Sequence, residues 1–219
     1  MSSVFSWMVI GLLVTAGVSW YFASSGLVSM LMGEGGHTML GWAVMLAPLA
    51  FILAMNFGME RFSSSALTML FLAFSAVMGA SLSYIFLIYT GASLVQVFLI
   101  SAGTFGAMAV LGYTTSTDLT KFGSLLYMAL IGIIIASVVN WFIGSSGMDF
   151  LISVLGVLIF TGLTAYDTQK LKRIGAGVEY GDIASSERAT KLAILGATSL
   201  YLDFINLFLF LLRLMGNRK

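Results

Sequence analysis

The chain has 219 residues, of which 59% are hydrophobic and only 9% are charged. Soluble domains carry about 25% charged residues, so this chain has too little polar surface for an ordinary water-soluble fold. A net charge of +1 excludes the clustered basic face that nucleic-acid binding requires. The absence of cysteine excludes disulfides, thiolate metal sites and cysteine nucleophiles. Composition therefore predicts an integral membrane protein.

Uncharged stretches give the number of membrane spans. One crossing of the hydrocarbon core, about 30 Å thick, takes roughly 20 apolar residues in an α-helix. Residues 62–117 carry no charge and are long enough for two crossings, with a turn expected at 90–93. We expect one transmembrane domain over residues 1–219, an all-α bundle of seven helices. The predicted spans are residues 4–23, 40–57, 66–89, 94–113, 122–143, 150–168 and 192–212.

Basic residues predict the orientation, because short cytoplasmic loops are enriched in Lys and Arg. The loop between spans six and seven is the most basic, and Arg61 and Lys121 lie in loops on the same side. The amino terminus is then cytoplasmic. The last segment leaves two topologies open. Its length favours a full crossing, whereas a re-entrant segment would bring all ten basic residues to the inside.

Small residues recur four positions apart in two spans, a spacing that allows helix backbones to approach closely. Span three has Ser75, Gly79 and Ser83, and span four has Ala102 and Gly106. We expect these two spans to pack inside the bundle.

Two of the nine acidic residues fall within predicted spans. Asp203 lies mid-span, where an ionised Asp costs about 2.5–3.5 kcal/mol on an insertion scale, so it should face the bundle interior or water. Asp167 lies near the cytoplasmic end of span six, where a wetted interfacial carboxylate is an equally good interpretation. The other seven lie at span ends or in connections: Glu34, Glu60, Asp118, Asp149, Glu179, Asp182 and Glu187.

Two carboxylates in a low-dielectric interior would repel and exchange protons as a pair rather than independently. Such a pair could sense pH. It could also offer up to four oxygens to Ca²⁺, which prefers six to eight, so any Ca²⁺ held by Asp167 and Asp203 would be weakly and transiently bound. Arg61 is the candidate countercharge, or alternatively a positive-inside anchor. Sequence spacing does not predict contact, since Asp203 lies about 18 Å along its helix from Lys191 and Asp167 lies near the end of its own.

Two motifs surround these aspartates. Residues 164–172 read TAYDTQKLK and residues 199–208 read SLYLDFINLF, which closely resembles the paired signatures of the Bax inhibitor-1 family. Residues 105–108, FGAM, and 112–115, GYTT, extend the resemblance, and a bacterial member is the most similar kind.

The resemblance implies a seven-helix bundle in which the last helix is central, and this favours crossing over re-entry. It also implies that Asp167 and Asp203 form a hydrogen-bonded pair across spans six and seven, and that Arg61 latches the closed state. The implied function is a passive Ca²⁺ leak gated by pH, in a bacterial inner membrane, with Ca²⁺ and H⁺ as its partners and no resident cofactor. The alternative is a non-enzymatic adaptor that modulates a membrane-anchored AAA protease or a stress response.

Two enzyme classes were weighed against this resemblance. Residues 144–147, GSSG, match the rhomboid serine motif superficially, but a nucleophilic serine needs a positioned base and His37 is predicted in an outside loop. An aspartyl intramembrane protease would also use two aspartates, but only Tyr166-Asp167 matches its motifs. We therefore expect no enzymatic activity.

Overall fold

The computed structural model describes residues 1–33, 36–179 and 186–219, so Glu34 and Asp182 lie outside the described residues. The helices and strands are α1 (Ser2–Ser24), α2 (Val28–Leu31), β1 (Met32–Gly33), β2 (Gly36–His37), α3 (Met39–Gly58), α4 (Ser64–Leu82), α5 (Ile85–Ile88), α6 (Gly91–Thr114), α7 (Thr120–Ile143), α8 (Ser146–Glu179) and α9 (Ser186–Met215). The strands β1 and β2 pair antiparallel.

Seven helical segments in the described parts of the chain are long and apolar enough to cross a membrane. The all-α, seven-span architecture predicted from the sequence is therefore confirmed. The segments are Ser2–Ser24, Met39–Gly58, Ser64–Ile88, Gly91–Thr114, Thr120–Ile143, Ser146–Gly177 and Glu187–Met215.

The last two helices extend beyond the predicted spans. Span six was predicted to end at residue 168, but α8 continues to Glu179, and α9 begins at Ser186 rather than at 192. The prediction ended span six just before Lys170, the first charge after it. The backbone hydrogen bonds of a helix form whether or not its side chains are apolar. A helix that carries Lys and Arg can therefore continue beyond the hydrocarbon region, because these side chains combine an apolar stem with a charged end.

The described chain divides into two compact units. The first contains residues 1–89 and 177–201 with Lys219, and the second contains residues 90–176 and 202–218. That residues 1–219 form one transmembrane domain stays a prediction. The helix α9 contributes residues to both units. In an apolar stretch of 18 residues of α9, 61% is buried, against 11% in the corresponding stretch of α7. The central position of the last helix also stays a prediction.

In the first unit, α4 packs against α1 and α3. A Cβ atom at Gly79 would lie 2.6 Å from the carbonyl oxygen of Thr15, so the small residue allows α1 and α4 to touch. The packing predicted for span three is found here. The first-unit part of α9 adds Tyr201, whose fully buried ring packs edge-on against Phe71 and Phe74.

A buried hydroxyl chain joins three helices of this unit. The hydroxyls of Tyr201 and Thr15 lie 2.6 Å apart, and Thr15 donates to the carbonyl oxygen of Ser75 at 2.8 Å. Because the Thr15 hydroxyl has only one proton to donate, Tyr201 must donate to Thr15. The chain satisfies two hydroxyls that would otherwise be costly in an apolar core.

The second unit has an aromatic core between α6 and α9. Phe204 of α9 makes edge-to-face contacts with Phe98 and Phe105 of α6, and Phe98 also contacts Phe208. Nothing within 4 Å would meet a Cβ at Gly106. The packing expected from the small residues of span four is therefore absent at that glycine among the described residues.

The turn at residues 144–147 has a structural explanation. Gly144 ends α7 in the left-handed conformation, with φ of 68°, which glycine adopts without steric cost. Ser145 Oγ accepts the Met148 N–H at 3.3 Å, and its own N–H donates to Asn140 Oδ1 at 3.0 Å. Ser145 therefore caps the start of α8, and residues 144–147 form the turn between α7 and α8.

Candidate functional site

Both aspartates singled out from the sequence lie in the second unit. Asp167 of α8 is 7% exposed and Asp203 of α9 is 5% exposed. Because α8 continues to Glu179, Asp167 lies about twelve residues, or roughly 18 Å, before the end of its helix. The expectation that Asp167 sits near the end of its helix is therefore wrong.

Both carboxyl groups lie in the second unit and are largely removed from solvent. Asp167 Oδ1 and Asp203 Oδ2 are buried and have no hydrogen-bond partner among the described residues. The hydrogen bond between the two side chains that the family resemblance implies is not found at these two atoms. The Thr168 hydroxyl next to Asp167 is equally buried and unpartnered within the described chain.

Unpaired oxygens of this kind are costly in an apolar interior. A buried polar group without a partner costs about 1–3 kcal/mol, and an ionised group costs more. Asp167 and Asp203 can lower this cost by holding a proton, by contacting a cation or by admitting water. The arrangement is thus chemically suited to exchanging protons and to contacting a hard cation.

The neighbouring helices approach α8 closely around Asp167. A Cβ at Gly112 of α6 would collide with the backbone of Ala165, and a Cβ at Gly123 of α7 would lie 2.5 Å from the ring of Tyr166. Both contacts fall within two residues of Asp167. A glycine therefore brings each of the helices α6 and α7 close to this part of α8.

Tyr127 of α7 is a neighbour of the site that the sequence analysis missed. Its ring lies edge-on to that of Tyr166, the residue next to Asp167, with centroids 6.1 Å apart. A search for charged residues in the spans could not find it, because α7 carries no charge after Lys121. A hydroxyl-bearing ring in an uncharged span was the available signal.

The described residues contain no cluster of three or more His, Cys, Asp or Glu side chains that could hold a metal ion. Asp167 and Asp203 offer up to four carboxylate oxygens. This is below the six to eight oxygens that Ca²⁺ prefers. Water or backbone carbonyls would have to complete a Ca²⁺ shell here.

Arg61 lies in the turn between α3 and α4, where its N–H donates to the carbonyl oxygen of Gly58 at 2.9 Å. Its side chain is exposed. Arg61 belongs to the first unit and the aspartates to the second. A latch between Arg61 and the aspartates therefore stays a prediction.

The fold and the site define a seven-span membrane protein with two buried carboxyl groups in one unit. The family model described as Inhibitor of apoptosis-promoting Bax1 matches residues 1–219. The chain therefore belongs to the Bax inhibitor-1 family, as its two sequence signatures predicted.

Relatives in several bacteria match over nearly their full length. The chain is 46% identical over 219 residues to the inner membrane protein YbhL of Escherichia coli strain K12. The matched region covers all of this chain and 92% of YbhL. It is 44% identical to an uncharacterized protein of Borreliella burgdorferi, again over all of this chain and 92% of that one. It is 42% identical to the uncharacterized protein RP147 of Rickettsia prowazekii, over the whole chain and 89% of that relative.

Proposed function

We propose that this protein is a passive Ca²⁺ leak channel gated by pH through the aspartate pair of α8 and α9. The observation that supports this most directly is the burial of Asp167 and Asp203 together, with one carboxyl oxygen of each lacking a hydrogen-bond partner among the described residues. A purely structural carboxylate at such depth would be expected to have its oxygens paired.

Proton exchange at this pair is large enough in energy to select between conformations. An ionised Asp at a helix centre costs about 2.5–3.5 kcal/mol, which corresponds to roughly two orders of magnitude in an equilibrium constant. When Asp167 and Asp203 share a proton, one negative charge remains and α8 and α9 can stay together. When both ionise, repulsion between the carboxylates favours separation of the helices and admits water and Ca²⁺.

Arg61 supplies the countercharge in this proposal. Its guanidinium favours a shut state at intermediate pH by pairing with a carboxylate of the pair. Ionisation of both aspartates near neutral or alkaline pH opposes this latch. The Ca²⁺ ion is then a passing substrate that contacts carboxylate oxygens and water.

The setting proposed for this activity is the bacterial inner membrane, with the amino terminus in the cytoplasm. The relative YbhL is named an inner membrane protein, and the loops predicted from the sequence to be cytoplasmic contain Arg61, Lys121 and the basic residues expected between spans six and seven. The protein acts without catalysing a reaction and without a resident cofactor. Its partners are the bilayer, Ca²⁺ and H⁺.

The test is Ca²⁺ flux into liposomes that contain a Ca²⁺-sensitive dye and the purified protein. Wild type, Asp167→Asn and Asp203→Asn are compared across pH. We expect the wild-type flux to depend on pH and each Asn variant to lose most of that dependence, because a single carboxyl group no longer shares a proton. Glu60→Gln is the matched control, since Glu60 is an exposed acid that pairs with Arg188 at the surface at 3.5 Å, and its profile should follow the wild type.

Equal flux from all variants at every pH would contradict the channel proposal. That result would favour the non-enzymatic adaptor, for which a membrane-anchored AAA protease is the partner to test. The adaptor predicts an effect of the protein on protease turnover that survives Asp203→Asn.

A further inference from the structure

A buried glutamine ties the connection between α6 and α7, residues 115–119, to α8. Gln169 is 6% exposed. Its Nε2 donates to the carbonyl oxygen of Thr117 at 2.8 Å, and its Oε1 accepts the N–H of Leu119 at 2.9 Å. One side chain thus satisfies two backbone groups of the connection, much as a neighbouring strand would.

A second set of contacts reinforces this attachment. Arg173, one turn further along α8, donates to Asp118 Oδ1 and to Thr120 Oγ1, both at 2.7 Å, and to Gln169 Oε1 at 3.3 Å. Asp118 also accepts the N–H of Thr120 at 3.0 Å. Hydrogen bonds from Thr120, and then the bond from Arg173, hold the pKa of Asp118 well below its usual range. This ion pair therefore stays intact at physiological pH.

The end of α6 is attached to the same helix. Lys172 Nζ donates to the carbonyl oxygen of Tyr113 at 2.8 Å and lies 4.8 Å from the centroid of the Tyr113 ring. Three residues of α8 therefore hold the end of α6, the connection and the start of α7: Gln169, Lys172 and Arg173.

Gln169 follows Asp167 by two residues on one uninterrupted helix. Two residues correspond to about 3 Å along the axis and about 200° around it, so the two side chains project from nearly opposite faces of α8. One face carries Asp167 and the other holds the connection. Because a helical turn is rigid, a shift of α8 at Asp167 is transmitted to Gln169.

We propose that Gln169 is a positioning residue that makes the α6–α7 connection move with the segment of α8 that carries Asp167. A perturbation at the aspartate pair then reaches the connection through the two amide hydrogen bonds of Gln169. Only the consequence for ion flux rests on the proposed function. If the aspartate pair gates a channel, the α6–α7 connection is the part of this unit that opens or closes with the pair.

The experiment measures hydrogen exchange at the Leu119 amide in wild type, Gln169→Leu, Asp203→Asn and the double variant, all at the same pH. Gln169→Leu removes the acceptor of this N–H, so we expect exchange about tenfold faster. Asp203→Asn removes repulsion at the pair, so we expect it to slow exchange severalfold in the wild-type background. In the Gln169→Leu background this effect of Asp203→Asn should disappear. Lys172→Met is the control, since it removes the Tyr113 contact and should preserve the response to Asp203→Asn.

Three outcomes would overturn the proposal. Gln169→Leu could leave exchange at Leu119 unchanged, Asp203→Asn could have no effect on it, or the two effects could multiply independently. Independent effects are what a merely structural anchor predicts. If Gln169→Leu does not fold, Gln169→Glu replaces it. This variant keeps the acceptor for Leu119 and removes the donor to Thr117, so it should weaken the response without abolishing protection.

Flux is measured separately on the same variants. Flux that is unaffected by Asp203→Asn, together with a non-independent exchange cycle, would refute the channel and leave the role of Gln169 standing. Flux that changes in Asp203→Asn, together with independent effects of the two substitutions on exchange, would support the channel and refute the role of Gln169.

Discussion

Replacing Asp203 with Asn should stabilise the protein, and more so at alkaline pH. Asp203 is 5% exposed, and its Oδ2 has no hydrogen-bond partner among the described residues. The ionised side chain therefore carries a desolvation cost that nothing at that oxygen offsets. Asn has nearly the same shape and no charge, so the variant removes this cost without opening a cavity.

The size of the effect follows from the cost of an ionised Asp at a helix centre, about 2.5–3.5 kcal/mol. This value is an upper bound, because water that enters the site and a shared proton both reduce it. The sign follows from proton linkage. Burial disfavours ionisation of the pair in the folded protein but not in an unfolded chain, so wild-type stability should fall as pH rises. The variant lacks one of the two interacting groups, so its stability should fall less.

The assay is thermal unfolding in detergent from about pH 6 to about pH 9, a range that extends well above the ordinary pKa of Asp. We expect the melting temperature of Asp203→Asn to exceed that of wild type by several degrees at the alkaline end, and the difference to narrow at the acidic end. The exposed-acid control Glu60→Gln should follow wild type throughout, since surface ion pairs contribute about 0–1 kcal/mol. A variant that is less stable than wild type at alkaline pH would refute the reasoning.

Three further predictions concern other residues. Arg61→Ala should raise the resting Ca²⁺ leak in liposomes by freeing a carboxylate from its countercharge, and an unchanged leak would reduce Arg61 to a topological anchor. Asp118→Asn should lower the melting temperature equally at about pH 8 and about pH 5, because the depressed pKa of Asp118 keeps it ionised at both. The difference should shrink only as the pH falls below about 4, and a difference already lost at about pH 5 would argue against the ion pair. Gly112→Ala should destabilise the protein by about 1–3 kcal/mol, because its Cβ would collide with the Ala165 backbone. Gly106→Ala meets nothing within 4 Å and should be neutral or slightly stabilising, so equal losses in the two Gly variants by denaturation would contradict the described packing.

The sequence was sufficient to predict the spans because their signal is additive. Each apolar residue contributes to the transfer free energy of its own helix, so seven uncharged stretches predict seven helices without knowledge of their packing. The ends of α8 and α9 were predicted less well. The charge of Lys170 marks where the hydrocarbon region becomes unfavourable, whereas backbone hydrogen bonding carries the helix on to Glu179.

Small-residue spacing was a weaker guide to packing. Gly79 does bring α4 against α1, but Gly106 faces open space, and Gly112 is the residue that brings α6 against α8. Four-residue spacing shows which residues share a helix face. It does not show which face has a neighbour, since that depends on where the other helices run.

The site was partly predictable for a related reason. Asp203 was identifiable from the cost of a mid-span carboxylate, and Asp167 from the motif that it shares with a family. Tyr127 and Gln169 were not identified, because their roles come from neighbours that are distant in the sequence. Gln169 pairs with Thr117 and Leu119, and no local pattern around a glutamine encodes such a contact.

The most direct test of the central claim is an infrared titration of the carboxyl groups in membranes, in which protonated and ionised Asp absorb at separate frequencies. Wild type should show a buried carboxylic acid whose ionisation is shifted in both Asp167→Asn and Asp203→Asn, since each residue sets the proton affinity of the other. Glu60→Gln should leave that band unchanged. If the remaining aspartate in each variant titrates as it does in wild type, the two side chains act independently and the proposed gate is contradicted.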